Sequence, residues 1–150
     1  MYQLNWFQTK KEEERIDIFY HEMTPVLRQI AAVVKNEKPV LTGITEDEKE
    51  LLDIEEIYYF DTVDRRTFAY TRDKTYQVSL TISALEEKLS DFGFIRINKA
   101  NLVNIYQIKK IKPESNMRIS AILRNDEKLQ INRSYKRSFE EYLKRVRKAL

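Results

Sequence analysis

The chain has 150 residues, of which 42% are hydrophobic and 34% are charged, with 2 glycines, 3 prolines and no cysteine. This length predicts one compact domain with a small extension, and the apolar fraction suffices for a core. The absence of cysteine excludes disulfides, thiolate catalysis and most zinc sites. The sequence shows neither a signal peptide nor an apolar run of membrane-spanning length, so we expect a cytoplasmic protein.

Charge is distributed unevenly along the chain, although the net charge is only +3. Residues 96–150 contain 15 Lys and Arg against 5 Asp and Glu, giving +10, whereas residues 1–95 contain 12 against 19, giving −7. A basic C-terminal part indicates either a polyanionic partner on one surface or simply an uneven solvated surface.

The N-terminal part predicts a small β–α unit over residues 1–38. Residues 15–20 (RIDIFY) alternate and are rich in β-forming side chains, which indicates a strand, and residues 3–8 offer another. Thr24 as N-cap and Pro25 at the first helical position then indicate a helix.

This helix is expected to end at Asn36, since Pro39 prevents its continuation. Its apolar residues recur at helical spacing and form one stripe, made of Leu27, Ile30, Ala31 and Val34. The stripe either packs on the protein's own sheet or forms a dimer seam or a contact for a regulator.

Short alternating segments with polar turns between them follow from residue 39, which is typical of an antiparallel meander. The predicted strands are residues 39–44, 49–52, 56–63, 67–72, 76–80, 94–97, 101–103, 108–112, 118–123 and 128–131. Ser83 and Glu86 have the spacing of a capping box, which predicts a short helix over residues 83–89. A C-terminal amphipathic helix is predicted by apolar residues at spacings of three and four: Tyr135, Phe139, Tyr142, Leu143, Val146 and Leu150.

The most specific pattern lies in residues 94–111, FIRINKANLVNIYQIKKI. A Phe, an Arg, a polar loop and LVN stand there in order, as Phe94, Arg96, residues 98–101 and residues 102–104. Upstream stand IYYFD and SALEEKL, and downstream an Arg-Ser-Tyr junction leads into the last helix: residues 57–61, 83–89 and 133–135. In this order and spacing, residues 39–147 resemble the LytTR family of DNA-binding domains.

The resemblance implies a mainly β (α+β) fold of stacked, short antiparallel sheets with small helices, with the DNA-binding domain assigned to residues 39–150. It also implies that loops, not a recognition helix, enter the major groove, and the matching loops are residues 64–67, 98–101 and 132–136. Many relatives have a His where this chain has Asn98, which could change the preferred base.

The side chains of these loops suit DNA chemically. Arg matches the O6/N7 edge of guanine, Asn matches the N6/N7 edge of adenine, and Lys suits phosphate or guanine. The candidate DNA-binding residues are Arg65, Arg66, Asn98, Lys99, Asn101, Lys110, Arg133, Ser134, Tyr135, Lys136 and Arg137. We expect groove contacts from Arg133, Lys99, Asn98 and Arg66, and backbone contacts from Ser134, Tyr135, Lys110 and Arg137.

Several of these residues also have an ordinary structural interpretation. Arg96 could pair with a nearby acid, Asn104 could satisfy turn backbone groups, and Asn101 could do either. Charged residues such as Arg65 and Arg66 are common in hairpin turns. The Lys and Arg of residues 144–148 are expected on the wet face of a helix, with a weaker role near phosphates.

The sequence offers no catalytic, metal or cofactor site. His21 is the single histidine, Gly43 and Gly93 are isolated, and the carboxylates at residues 12–14 and 46–50 are surface runs. We therefore expect a protein that is not an enzyme and has no cofactor and no small-molecule substrate.

The expected partner is double-stranded DNA with promoter repeats, bound by a homodimer at least on DNA. Residues 1–38 are too short for a receiver domain, so we expect none, and a small membrane-protein regulator is one hypothesis for their partner. A protein-binding module and an RNA binder that use the same basic face are the alternatives. The sequence does not identify the target genes, the direction of regulation or the signal.

Overall fold

The computed structural model describes residues 2–8, 10, 15–35 and 37–147, and within these residues the fold is mainly β, as predicted. The strands are β1 (Val40–Ile44), β2 (Lys49–Asp53), β3 (Tyr59–Val63), β4 (Arg66–Tyr70), β5 (Thr75–Val78), β6 (Phe94–Arg96), β7 (Asn101–Asn104), β8 (Ile108–Pro113), β9 (Ile119–Leu123) and β10 (Lys128–Ile131). The α-helices are α1 (Pro25–Lys35), α2 (Ile82–Leu89) and α3 (Lys136–Arg147).

The strands form two antiparallel sheets, in agreement with the predicted meander. The larger sheet has the order β2-β1-β5-β4-β3-β7-β6, and the smaller sheet has the order β10-β9-β8. Alternation along a strand sends neighbouring side chains to opposite faces. Leu102 therefore packs with Leu85 of α2, whereas Val103 packs with Ala121 of the smaller sheet and Phe139 of α3. The smaller sheet is thus stacked on the larger one, as the resemblance implied.

Most predicted strands are confirmed with small shifts at their ends. The largest shift concerns the strand predicted for residues 56–63, which begins at Tyr59 because Ile54–Glu56 forms a 3-10 helix. Tight turns set the ends of the strands in the β1–β2, β3–β4 and β4–β5 hairpins, because the pairing of residues runs without interruption from each turn outward.

The strand predicted for residues 15–20 is wrong, and so is the one near residues 3–8. Both segments are irregular, and their apolar side chains are exposed, with Phe19 at 95% and Trp6 at 85%. β-forming side chains stabilise a strand only against a neighbouring strand, and neither segment is paired in a sheet.

The helix predicted after Thr24 is confirmed, and its predicted end at Asn36 lies outside the described residues. The Leu27 N–H donates to Thr24 Oγ1 at 3.3 Å, which is the expected N-terminal cap. The packing face differs from the predicted stripe, because Leu27 and Ala32 are buried whereas Ile30 and Val34 are exposed.

Helix α1 contacts the 3-10 helix Ser90–Phe92, which follows α2. Gln29 Nε2 donates to the carbonyl of Asp91, and Arg28 Nε lies 3.6 Å from the Asp91 carboxylate. The N-terminal helix is thereby attached to the start of β6, at the end of that strand remote from residues 97–100.

The capping box predicted for Ser83 and Glu86 is wrong. Thr81 immediately precedes α2 and is the N-cap, with Oγ1 accepting the Ala84 N–H at 3.2 Å. Ser83 and Glu86 contact Arg96 instead: Nη2 donates to Ser83 Oγ at 3.0 Å, and Nε lies 3.1 Å from Glu86 Oε2 without the alignment of a hydrogen bond. The structural interpretation of Arg96 is therefore confirmed.

The amphipathic pattern of α3 is confirmed by the burial of Phe139, Tyr142, Leu143 and Val146, while Leu150 lies outside the described residues. Lys144 and Arg145 are exposed, in agreement with a wet helix face. Arg147 of the same helix has hydrogen-bond partners within the protein: its Nη1 donates to the carbonyls of Ile105 and Ile108 at 2.8 and 2.9 Å.

Asn104 has the structural role that the sequence suggested. Its side chain is 2% exposed, Nδ2 donates to the Ile57 carbonyl at 2.9 Å, and Oδ1 accepts the Tyr106 N–H at 3.0 Å. The Tyr106 ring lies close to Gly93, whose φ of +96° and missing Cβ allow this approach.

Replacing Asn104 by Ala is expected to lower the free energy of unfolding by about 1–3 kcal/mol, because the buried Ile57 carbonyl and the half-buried Tyr106 N–H lose their partner. Urea denaturation measures the change. Asn125→Ala is the matched control, since Asn125 caps only the exposed Glu127 N–H. Equal losses in the two variants would contradict a special role for Asn104.

Candidate nucleic-acid interface

Backbone hydrogen bonds place three chain reversals side by side at one end of the molecule. The Thr62 N–H, next to the β3–β4 turn, donates to the Ala100 carbonyl at 3.1 Å. The Asn132 N–H, at the start of the β10–α3 junction, donates to the Ile97 carbonyl at 3.0 Å. The three predicted loops therefore form one surface, called here the loop edge: residues 64–67, 98–101 and 132–136.

The β3–β4 turn contributes two arginines to the loop edge. Asp64 and Arg65 both have positive φ, 50° and 64°, as the two central residues of a tight hairpin turn require. Val63 and Arg66 are the flanking pair, and both arginines are exposed. The turn thus projects two guanidinium groups beyond the larger sheet.

The loop before β7 is shaped by its own amides. Asn98 Oδ1 accepts the N–H groups of Ala100 and Asn101, both at 2.8 Å, and Asn98 Nδ2 donates to Asn101 Oδ1 at 2.7 Å. Asn101 Nδ2 donates to Asp61 Oδ1 at 2.8 Å. These bonds occupy most of the capacity of both amides and leave Lys99 as the exposed side chain of the loop.

Asp61 is a residue whose role the sequence analysis did not identify. It stands directly opposite Asn101 in the β3–β7 ladder. The only sequence signal was its place at the end of the IYYFD pattern, which carries no information about a partner forty residues later.

The third part of the loop edge is the 3-10 helix Arg133–Tyr135, which leads into α3. Arg133 and Ser134 are exposed, whereas Tyr135 and Lys136 are half-buried, and Tyr135 packs against the buried side chains between the two sheets, among them Ile131 and Phe139. Arg137 is exposed and pairs with Glu141 at 3.1 Å, one turn along the helix.

The cations of the loop edge are electrostatically available. Among residues 2–8, 10, 15–35 and 37–147, no carboxylate forms an ion pair with the exposed Arg65, Arg66, Lys99 or Arg133. Positive charge without an internal partner attracts an external anion.

Lys110 does not belong to the loop edge. Lys110 of β8 pairs with Ile122 of β9, which pairs with Lys128 of β10. Lys110 therefore lies two strands away from β10, level with a position three residues before Ile131, where β10 ends. The strand β8 bulges at Lys109, whose side chain contacts Asp126 and lowers the pKa of that carboxyl group. A phosphate contact by Lys110 stays a prediction.

In the described part of the chain, no cluster of three or more His, Asp or Glu side chains could hold a metal ion. No helix within that part combines the length and apolarity needed to cross a membrane.

Comparison with known families decides the class of the protein. The model of the LytTr DNA-binding domain matches residues 47–144, which is most of the chain. The chain belongs to the LytTr DNA-binding domain family. A solved LytTr DNA-binding domain from Bacillus cereus superposes with a TM-score of 0.67, over 71% of this chain and 97% of that chain, at 24% identity.

Two curated relatives differ in how much of their own length this chain matches. The sensory transduction protein LytT of Bacillus subtilis (strain 168) is 28% identical over 143 residues, and the match spans 93% of this chain but 59% of that protein. An uncharacterized HTH-type transcriptional regulator of Staphylococcus aureus (strain bovine RF122 / ET3-1) is 30% identical over 146 residues, covering 95% of this chain and 99% of the relative.

Family membership confirms the predicted resemblance, the mainly β fold and a DNA-binding, non-enzymatic protein. Family membership does not imply a helix-turn-helix motif, although the Staphylococcus aureus relative has 'HTH-type' in its name. In the residues that the structure describes, β-strands separate α1, α2 and α3 from one another along the chain. A contact with DNA through loops stays a prediction.

Replacing Asn101 by Ala is expected to weaken binding to specific DNA without changing the salt dependence. The substitution removes the link between Asp61 and Asn98 but no charge. Lys99→Ala is the comparison, and it is expected to flatten the slope of log K against log salt by about one unit. Fluorescence anisotropy titrations over a range of salt concentrations measure both quantities, and a flattened slope for Asn101→Ala would contradict this role.

Proposed function

We propose that the protein is a sequence-specific transcription regulator that reads the major groove of duplex DNA through the loop edge. The observation that carries the proposal is the juxtaposition of Arg66, Lys99 and Arg133 on three adjoining reversals, exposed and without carboxylate partners. Base edges in the major groove present acceptors that match these donors, and guanine suits Arg best.

Different tasks are proposed for the candidate residues. Arg133 and Arg66 read guanine, and Lys99 contacts guanine or phosphate. Asn98 and Asn101 mainly hold the central loop in shape, since their amides already have internal partners. The remaining candidates position the protein on the sugar–phosphate backbone: Arg65, Lys110, Ser134, Tyr135, Lys136 and Arg137.

Regulation of transcription is supported by the curated relatives, one of which carries that function in its name. Two protomers are proposed to occupy promoter repeats in the cytoplasm. Residues 1–38 are proposed as a separate unit that contacts a second copy or a small membrane-protein regulator. The exposed side chains of Trp6, Phe7, Phe19 and Val33 support such a contact, because a partner that covers large apolar side chains removes their surface from water.

Selection of bound fragments from random duplex DNA tests the proposal directly. An enriched, repeated motif is the expected result. A gel shift of the protein's own promoter, with single-stranded RNA as competitor, then separates the alternatives. Failure to enrich any duplex, or loss of the complex to RNA, would overturn sequence-specific duplex reading.

Replacing Arg133 by Ala is expected to cost about 1–3 kcal/mol on a specific site and to relax one base preference. Arg72→Ala is the matched control, because Arg72 is exposed just beyond the end of β4 opposite to Arg66. Competition titrations with specific and random duplexes measure the effect. Equal losses on both duplexes would reassign Arg133 to phosphate contact.

Replacing Arg65 by Gly separates folding from binding at the β3–β4 turn. Glycine adopts positive φ freely, so the melting temperature is expected to stay constant or rise. Loss of one cation is expected to weaken binding to all duplexes and to reduce the salt slope by about one unit. A fall in melting temperature together with an unchanged slope would show that Arg65 serves the fold instead.

A further inference from the structure

The β8–β9 hairpin reaches the same end of the molecule as the loop edge. Register pairs Ile131 of β10 with Ile119 of β9, and Ile119 with Pro113 of β8. Because β8 and β10 run in the same direction, the hairpin leaves the smaller sheet where β10 continues to Asn132. Sequence patterns gave no reason to place this turn beside the three loops.

The hairpin continues beyond the last paired residues of the smaller sheet. The Glu114 N–H donates to the Arg118 carbonyl at 2.9 Å, so the two arms stay together beyond Pro113, and Asn116 and Met117 form the tip. Neighbouring strands lie about 4.8 Å apart, which puts the two arms about 5 and 10 Å from β10. The major groove is about 12 Å wide, so an offset of this size from a reader in that groove corresponds to the border of the groove.

The tip has an unusual conformation for its residues. Asn116 and Met117 have φ values of 57° and 60°, and the described chain shows such a pair of consecutive positive φ values at one other turn, Asp64–Arg65 of the loop edge. Hairpin turns of this kind favour Asn-Gly, and a bulky residue in the second position is strained. Met117 is nevertheless 62% exposed, so packing within the protein does not account for it.

Cations without internal partners stand on both arms below the tip. Lys112 and Arg118 are exposed, and within the described residues neither has an ion pair. The hairpin carboxylate, Glu114, is already engaged: Lys128 Nζ lies 2.7 Å away and Ser120 donates to it at 2.8 Å, which together lower its pKa. The hairpin therefore offers positive charge, one amide and one apolar side chain.

We propose that the β8–β9 hairpin is a fourth DNA-contacting element, which enters the minor groove next to the segment read by the loop edge. Asn116 faces the acceptors of A·T base pairs, Met117 presses against a base step, and Lys112 and Arg118 contact the flanking phosphates. Minor-groove proteins use these residue types in these roles, with apolar side chains acting as wedges. The inference rests on the proposed function, because it presupposes that the loop edge is bound to duplex DNA.

The test is the double variant Asn116→Gly, Met117→Gly, studied in the full chain on a selected duplex. Glycine suits both positive φ values, so the melting temperature is expected to stay constant or rise. Affinity is expected to fall about fivefold to tenfold, as a lost minor-groove contact would produce. Hydroxyl-radical footprinting is expected to show new cleavage in the minor groove on one flank, where the A·T preference also disappears.

Asp126→Gly is the matched control, because Asp126 also has positive φ but lies in the β9–β10 turn at the opposite end of the same sheet. It should leave the flank protected. A double variant with the affinity and footprint of the wild type, while Arg133→Ala still loses specific binding, would overturn the hairpin contact and leave the proposed function standing. An equal loss on all sequences would overturn minor-groove reading. A wild-type protein that protects no duplex would overturn both proposals.

Discussion

Two backbone hydrogen bonds hold the three reversals of the loop edge together, one within the larger sheet and one between the two sheets. Thr62 to Ala100 fixes the tip of β3–β4 against the loop before β7, and Asn132 to Ile97 fixes the end of the smaller sheet against the same loop. The loop edge exists because both bonds end on one short segment. Its amide network, from Asp61 through Asn101 to Asn98, then gives that segment a single shape.

The folded arrangement, and not the order of charges along the chain, determines which cations lie together. The basic excess of residues 96–150 suggested a cationic surface, yet Arg65 and Arg66 come from the acidic part of the chain. Topology brings them to Lys99 and Arg133, while acids elsewhere bind other cations, such as Glu86 beside Arg96 and Glu114 beside Lys128. Some acids thus pair with cations away from the loop edge, whereas within the described residues Arg65, Arg66, Lys99 and Arg133 have no carboxylate partner.

Local patterns predicted the elements that depend on local physics. Alternation and polar turns located most strands, and Thr24 with Pro25 located α1. The strand at residues 15–20 failed because strand formation needs a partner that the pattern does not contain. Residue type predicted the chemistry of the Asn98 and Asn101 amides but not the neighbours to which they are hydrogen-bonded. The strands of the β8–β9 hairpin were predicted, but its position beside the loop edge was not, because that position follows from sheet register alone.

The bulge at Lys109 has a consequence for the behaviour of the protein at high local concentration. Strand β8 is the outer strand of its sheet, and besides the bulge it carries Lys110, Lys112 and a terminal Pro113. Irregular backbone, repeated ammonium groups and proline all discourage a second chain from extending a sheet. At high local concentration, neighbouring molecules are therefore discouraged from pairing edge to edge along β8.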